Sequence, residues 1–465
     1  MIKSLLKILF FSFLFIALTK AQDNDYIEVK GDSLVGKTIN GEMVREVHGN
    51  VVITQGNVII NCKHAIQYIS RNEAELIGDV VIHQDSMIIT TQRGYYFGDT
   101  KKSVSDTSIT LNDGKVILTA KRGKYNFENH KAFFQDSVVM KDSISNLSSD
   151  SLTYFKDENR IVAVSNVAIS DTANTIKADS LEHFRDTRIT FADHNVQVIN
   201  PENHITLFGE HLEDYPDRNY TLVNKNPLMM QIDTTYSRTE NSEGEIDSTM
   251  KIDTLVIKSK IMETFRDTAN IFIATDSVKI VRGDFASVNN LTYYYRDEGK
   301  IITYKVSKKA AQPYLWYEDT QLTGDSVSIN LEKNRIRSLD AFGNTFIISQ
   351  NEYNPAKFDQ TSGDTVHMYF ENSRLQKTKI RGSVFSIYFQ YDLETPNGLT
   401  KSSSQNALIL FLDNKVDEIR LYGSPNSEFY PEQLVKGKID SFVLSKYVAF
   451  KPKPEKEELL KILKK

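Results

Sequence analysis

Cysteine, proline and tryptophan are scarce in this 465-residue sequence, which has one, ten and one of them, respectively. The single cysteine, Cys62, excludes an intrachain disulfide, so no disulfide framework holds the fold. Cys62 lies in an apolar run, which favours a buried thiol over a reactive one. The many Asn, Asp, Ser, Thr, Val, Ile and Tyr residues indicate strands joined by tight turns.

A surplus of one charge sign is also missing, because 56 basic residues stand against 61 acidic ones. The net charge of −5 gives no reason to expect nucleic acid as a partner. The nine histidines show no paired spacing and no cysteine cluster, and no phosphate loop or dinucleotide fingerprint occurs. The sequence therefore predicts no metal ligands, no catalytic residues and no cofactor.

No apolar run is long enough to cross a bilayer comfortably. The longest lies near the amino terminus, where two lysines precede an apolar stretch over residues 8–18 and the small residues Thr19 and Ala21 follow. This pattern predicts a cleaved signal peptide over residues 1–21, and an uncleaved membrane anchor is the alternative. Because a large exported protein without disulfides fits a bacterial periplasm, we expect a periplasmic location.

A step of 29 residues relates three columns of apolar side chains. A column of one residue type at a fixed step predicts side chains that stack along an axis, with each repeat covering the apolar face of its neighbour. For each residue taken singly, a place in a sealed core is the expectation. The first column is Val51, Val80, Ile109, Val138, Val167 and Val196; the second is Ile53, Ile82, Leu111, Met140, Ile169 and Val198; the third is Ile60, Ile89, Leu118, Leu147 and Ile176.

Turn signals set the predicted strand lengths. Gln55-Gly56-Asn57 separates two short apolar runs and predicts a hairpin, and turn-like pairs such as Gly49-Asn50 precede the first column. The pattern therefore predicts an all-β, antiparallel, elongated repeat structure of several short strands per repeat.

The 29-residue spacing is lost after about residue 215, which sets the predicted domains. They are a signal peptide (1–21), a β-repeat domain (22–215), an irregular segment with a polar insertion (216–254), a second β-repeat region (255–440) and a tail (441–465). The tail is expected to form either a short helix, with Leu459, Leu460 and Leu463 on one side, or a frayed terminus.

Four segments resemble a known family. Residues 27–34 (IEVKGDSL) and 48–56 (HGNVVITQG) resemble the start of OstA/LptA-type domains. Residues 149–154 (SDSLTY) and 178–184 (ADSLEHF) resemble the family's strand that follows each Gly-Asn-Val unit. Each motif is short, and their ordered recurrence makes the resemblance specific.

The resemblance implies a V-shaped, partly open β-jellyroll whose apolar interior holds the acyl chains of lipopolysaccharide in the periplasm. It therefore also implies that the three columns together line a lipid-binding groove. It covers residues 25–215 and, more loosely, 255–430. The chain is longer than the family's small bridge proteins and too short for the large barrel of its translocon. We therefore expect a long bridge protein that carries lipopolysaccharide toward the outer membrane.

Unpaired edge strands at both ends predict the partners. Residues 26–34 and the strands after Tyr422 are expected to add to related β-jellyroll domains, or head to tail to another copy of this chain.

Two alternative functions fit parts of the sequence. The first is an extracytoplasmic β-solenoid adhesin or carbohydrate-binding protein, whose outer faces would carry aromatics such as Tyr68, Tyr125 and Tyr154. The second is an esterase, because residues 31–34 spell Gly-Asp-Ser-Leu and His367 lies three residues after Asp364. The recurrence of Asp-Ser-Leu and the lack of a strand–helix alternation disfavour the esterase, so the chain is expected not to be an enzyme.

Overall fold

The computed structural model describes residues 26–240, 246–268, 270–351, 353–371, 374–412 and 415–464. The predicted signal peptide lies outside these residues. The chain divides into two compact units, Met1–Val164 and Ser165–Lys465. The predicted domain boundaries at 215 and 255 describe repeat spacing instead of compactness, and they stay a prediction.

The first unit consists of antiparallel strands. Its strands are β1 (Glu28–Lys30), β2 (Ser33–Ile39), β3 (Glu42–Gln55), β4 (Val58–Tyr68), β5 (Glu73–Gln84), β6 (Met87–Phe97), β7 (Lys102–Ser105), β8 (Ile109–Asn112), β9 (Ile117–Ala120), β10 (Arg122–Asn126), β11 (Lys131–Lys141), β12 (Asn146–Phe155) and the start of β13 (Arg160–Ser170). A 3₁₀ turn at Ile69–Arg71 connects β4 to β5.

The second unit continues with the end of β13 and is again antiparallel. Its strands are β14 (Thr175–Phe184), β15 (Ile189–Asn200), β16 (Ile205–Tyr215), β17 (Tyr220–Asn224), β18 (Leu228–Glu240), β19 (Ile246–Lys258), β20 (Ile261–Phe265), β21 (Ile271–Arg282), β22 (Phe285–Tyr295), β23 (Lys300–Tyr304), β24 (Tyr314–Tyr317), β25 (Thr320–Thr323), β26 (Ser326–Glu332), β27 (Arg335–Gln350), β28 (Phe358–Glu371), β29 (Arg374–Asp392), β30 (Thr395–Leu412), β31 (Lys415–Tyr422) and β32 (Asn426–Pro431). Its helices are α1 (Glu432–Val435) and α2 (Lys456–Leu460), with 3₁₀ turns at Pro216–Arg218, Ile439–Ser441 and Lys461–Lys464. None of the helices in the described residues has the length and apolar character needed to cross a bilayer.

The predicted all-β, antiparallel fold class is confirmed, and it is consistent with a jellyroll. The predicted hairpin is present, because β3 ends at Gln55 and β4 begins at Val58. The segment expected to be irregular instead holds β17, β18 and β19, and β18 pairs with β19 from Leu228↔Lys258 to Glu240↔Ile246. Its many threonines explain the difference, because β-branched residues suit strands even where the sequence is polar.

The strands are longer than predicted because the turn-like pairs lie inside them. Gly49 and Asn50 both have positive φ, yet the β3–β4 ladder runs on either side of them, with a register shift between His48 and Val51. They form a mid-strand β-bulge, which bends a strand without ending it. Further positive-φ pairs sit at 78–79, 136–137, 165–166 and 194–195, and these positions keep the 29-residue step.

Opposite each bulge, the neighbouring strand bends at a segment that we call a corner, where two consecutive side chains point outward. Cys62 and Ala65 of β4 are buried, whereas Lys63 and His64 between them both point outward. Two consecutive outward residues break the alternation of a flat strand and move the buried positions from even to odd numbers. The same pattern of a small buried residue, two outward polar residues and a further buried residue occurs at residues 91–94, 120–123, 149–152, 178–181, 324–327 and 363–366.

Backbone contacts stabilise the corners. Cys62 Sγ donates to the carbonyl oxygen of His64 (3.2 Å), and Ser149 Oγ donates to that of Ser151 (3.0 Å). The polar residue that follows the small corner residue also binds the bulge of the neighbouring strand. The Asp32 amide donates to the Gly49 carbonyl (2.9 Å), and Asn50 Nδ2 donates to Asp32 Oδ2 (3.0 Å). Asp325 makes the same two contacts at its own bulge, through Gly343 and Asn344.

These corners explain the Asp-Ser-Leu recurrences without catalysis. The Asp32 carboxylate accepts a hydrogen bond from the bulge residue Asn50, and the Asp364 carboxylate lies against Gly382 in the same way. His367 Nδ1 lies 2.8 Å from Asp340 Oδ1. The esterase alternative would need a triad of Ser33, His367 and Asp364, and the last two of these residues thus have structural roles.

The carboxyl-terminal segment of the second unit packs across the outer face of its strands. Gln321 accepts from the Lys451 amide (2.7 Å) and donates to the Ala449 carbonyl (3.2 Å), and Trp316 Nε1 donates to the Lys451 carbonyl (3.1 Å). Leu459 of α2 is 1% exposed and packs in a cluster with Trp316. The tail is therefore docked at Leu459 instead of frayed.

The bulge gives a first prediction. Replacing Gly49 with Ala should destabilise the chain by about 1–3 kcal/mol, because an L-residue is strained at φ 71° and the new methyl group would collide with the Asp32 carboxylate. Gly36→Ala is the matched control, since no heavy atom lies within 4 Å of its added Cβ. Urea denaturation followed by circular dichroism measures the stability of both variants. Equal denaturation midpoints for the two would contradict a structural role for the contact between Asp32 and the bulge.

Candidate functional site

In the first unit, one unbroken line of apolar side chains crosses eight strand segments. Each residue lies directly opposite the next in the strand ladders, and each is at most 2% exposed. The line runs Ile53, Ile60, Ile82, Ile89, Leu111, Leu118, Met140 and Leu147. The residues predicted as the second and third columns therefore merge into a single ladder.

The first column lies beside this ladder, at the corners. Val51 pairs with Cys62, Val80 with Thr91, and Val138 with Ser149. Ile109 lies opposite the corner residue Ala120. These four predicted residues are also buried, at 1–2% exposure.

The second unit has a comparable ladder that changes character along its length. Val167, Ile169 and Val196 are buried, whereas Ile176 and Val198 are only half-buried and lie opposite each other. From that pair the ladder is apolar up to Ile347 except at Ser287, and from β28 onward it carries hydroxyl groups. Its members are Ile176, Val198, Leu207, Met229, Ile257, Ile280, Ser287, Leu315, Leu322, Ile347, Thr361, Ser386, Ser402 and Ser427.

A cavity of about 80 Å³ marks the change from apolar to hydroxyl side chains. Tyr388 Oη lies 3.2 Å from Thr361 Oγ1 at this cavity, while the buried hydroxyl of Thr378 has no hydrogen-bond partner among the described residues. The volume is large enough for a few water molecules, and the polar side offers groups to bind them. The lining residues are Thr320, Ile347, Ser349, Asp359, Thr361, Met368, Leu375, Thr378, Tyr388, Ile409, Phe411 and Val416.

Asp359 is the carboxyl group that lines this cavity. Burial raises the pKa of its carboxyl to about 6, although the Phe389 amide (2.8 Å) and Asn351 Nδ2 (3.3 Å) both donate hydrogen bonds to it. Burial likewise raises the pKa of Tyr388 to about 12. Desolvation thus outweighs the hydrogen bonds that favour the charged carboxylate.

Sequence reasoning missed one cluster of possible metal ligands. Among the described residues, Glu46, His48 and His64 bring two imidazoles and a carboxylate within 4.8 Å of one another. The sequence does hold a signal, because Glu-x-His places both side chains on one face of a strand. The third member depends on the β3–β4 register, which no spacing rule reveals.

Comparison with known proteins finds a family model that matches part of the chain and a solved structure with low sequence identity. Residues 25–137 match the family model described as OstA-like protein. A solved structure of LptH, the LptA-homologous periplasmic component of the lipopolysaccharide transport device from Pseudomonas aeruginosa, is 15% identical over 37% of this chain and 85% of its own. Its TM-score of 0.13 is too low to support a statement on fold or function. No curated protein matches the sequence.

The raised pKa of Asp359 predicts that the free energy of unfolding depends on pH. Because its folded pKa of about 6 exceeds the unfolded value near 3.9, the folded state holds a proton that the unfolded state releases. This stability is fully present below about pH 4 and is lost as the pH rises through 6, at most about 3 kcal/mol. Asp359→Asn should therefore remove this slope and be more stable than the wild type at pH 7.5.

Urea denaturation between pH 4 and 8 measures the effect, with Asp417→Asn on the exposed face of β31 as the control. Parallel pH curves for the wild type and Asp359→Asn would show that burial does not perturb this carboxyl.

Proposed function

Because residues 25–137 are OstA-like, we propose that this chain is a periplasmic, non-enzymatic lipid-binding protein that carries lipopolysaccharide toward the outer membrane. The proposal includes export by the signal peptide predicted over residues 1–21, and it requires no cofactor. The observation that carries it is the uninterrupted apolar ladder of the first unit.

The ladder suits acyl chains on energetic grounds. Each methylene removed from water gains about 0.8 kcal/mol, so a carrier needs an apolar lining without an interposed charge. Adjacent strands lie about 4.8 Å apart, so the ladder repeats nearly equivalent positions at that interval. A lipid moving along it would meet a series of similar sites instead of one deep well.

Burial limits how the lipid enters. The ladder residues are closed off from solvent, as a packed core would also be, so loading requires the two faces of the interior to separate. The proposal therefore predicts that lipid takes the place of contacts between these side chains, whereas a sealed core would admit none.

The adhesin alternative loses its main support. Tyr125 and Tyr154, two of the aromatics proposed for its outer face, are 1% and 0% exposed. Tyr154 Oη instead donates to Asp113 Oδ2 (2.5 Å) in the turn between β8 and β9.

Edge strands supply the proposed docking surfaces. In the first unit, β1 and β2 each pair with β3 and show no second ladder among the described residues, and Leu34 and Val35 of β2 are 53% and 45% exposed. In the second unit, β31 and β32 pair with β30 and expose Val416 and Phe429, among others. We propose that related β-jellyroll domains, or further copies of this chain, add to these edges.

Photo-crosslinking tests the carrier role with matched positions on opposite faces of one strand. A benzophenone residue at Ile60 or Leu118, both 0% exposed, should crosslink to added lipopolysaccharide. The same residue at Ile59 or Ile117, 44% and 47% exposed, should not. Each variant is first checked by circular dichroism for the wild-type fold.

Equal crosslinking from both faces, or none from either buried position in a folded variant, would contradict the carrier role and favour a sealed core.

Lysine substitution tests the edge. A charge at Val35 should prevent strand addition, because a lysine on an exposed edge strand disfavours pairing with another chain. We expect concentration-dependent association in the wild type, measured by analytical ultracentrifugation, to be lost in Val35→Lys. It should persist in Ile59→Lys, whose strand β4 already has a neighbour on each side. A wild type that stays monomeric at all concentrations would rule out self-association through this edge.

A further inference from the structure

We propose that Glu46, His48 and His64 form a binding site for a divalent transition-metal ion of the Zn²⁺ class. The proposal concerns the outer surface of the first unit and is independent of lipid binding, so either can fail alone.

The strand register assembles the three side chains. His48 of β3 lies directly opposite His64 of β4, and Glu46 is two residues before His48 on the same face. The corner of β4 matters because it turns His64 outward directly after Lys63. The two imidazole rings stack with centroids 4.3 Å apart and planes 6° apart, so at least one ring must rotate before both nitrogens can point at a shared ion.

Two of the three separations between ligand atoms suit a tetrahedral ion, and the third, between the two imidazole nitrogens, is at most 4.8 Å. Ligands about 2.1 Å from Zn²⁺ at tetrahedral angles lie about 3.4 Å from each other. Glu46 Oε1 lies 3.1 Å from His64 Nε2 and 3.5 Å from His48 Nε2. The carboxylate oxygen and each imidazole nitrogen are therefore already near the spacing that the ion requires.

The cluster also has unused bonding capacity. His64 Nε2 is shielded from solvent and makes no hydrogen bond, since its approach to Glu46 has the distance but not the direction of one. A metal ion would satisfy this lone pair. Lys37 contacts the second carboxylate oxygen, Oε2, which leaves Oε1 toward the imidazoles.

The chemistry of the three donors also suits the ion. Two imidazoles and one carboxylate are a donor set typical of Zn²⁺ sites that keep the fourth position for water.

Calorimetric titration with Zn²⁺ alone, on purified chain without a histidine tag, tests the site. We expect one ion per chain, and at least a tenfold weaker affinity in His48→Ala, His64→Ala and Glu46→Gln. His83→Ala is the matched control, because His83 is a half-buried histidine on the neighbouring strand β5. Its affinity should equal that of the wild type.

Co²⁺ provides a second readout that does not depend on heat. A tetrahedral site should give visible absorption that the double variant His48→Ala/His64→Ala lacks while its circular dichroism is unchanged. The proposal is overturned if the wild type binds no Zn²⁺, if the double variant binds as tightly, or if His83→Ala loses as much affinity as His64→Ala.

Discussion

The corner at which each strand bends is the constraint on which the interior depends. A flat strand alternates its side chains, so a strand that turns around an interior would soon point its apolar residues outward. Here, one strand of each pair places two consecutive polar residues outward, and its partner inserts a bulge with two positive-φ residues. Both strands then resume alternation with their apolar side chains still inside.

This constraint accounts for the residues that look like motifs. In the recurrences at residues 150–152 and 179–181, Asp-Ser is the outward pair of a corner, and Leu152 and Leu181 are the first inward residues after it. The Gly-Asn pairs are bulges, where glycine and asparagine tolerate positive φ at low cost. Cys62 occupies the small inward position that Thr91 and Ser149 fill elsewhere, and burial raises the pKa of its thiol. The cysteine is thus a structural counterpart of a hydroxyl.

The sequence was sufficient to predict what depends on apolar periodicity. The columns at Val51, Ile53 and Ile60 lead to buried positions, and the hairpin at Gly56-Asn57 closes where predicted. Strand length could not be predicted in the same way. A turn-like pair such as Gly49-Asn50 has the same sequence whether it ends a strand or forms a bulge inside one. The corner column of Cys62, Thr91, Ala120, Ser149 and Ala178 was missed because size, not hydrophobicity, is what its members share.

Contacts that depend on long-range register were also beyond the sequence. His64 meets Glu46 only because the bulge after His48 sets which residues face each other across β3 and β4. The tail is a second case, since no pattern links Gln321 to Lys451, 130 residues further along the chain. In both, the side chains lie at a distance in sequence that local propensity does not encode.

The two units differ in what surrounds their apolar ladders, and this difference bears on function. The first unit's ladder carries no polar member, whereas in the second unit hydroxyls follow Ile347 and the tail covers the outer face of the strands. A sheet with apolar residues on both faces and a docked tail has less freedom to separate from its partner, because opening it would expose side chains such as Phe346 and Trp316 as well. If lipid enters by separation of the two faces, the first unit is the one whose structure opposes entry least.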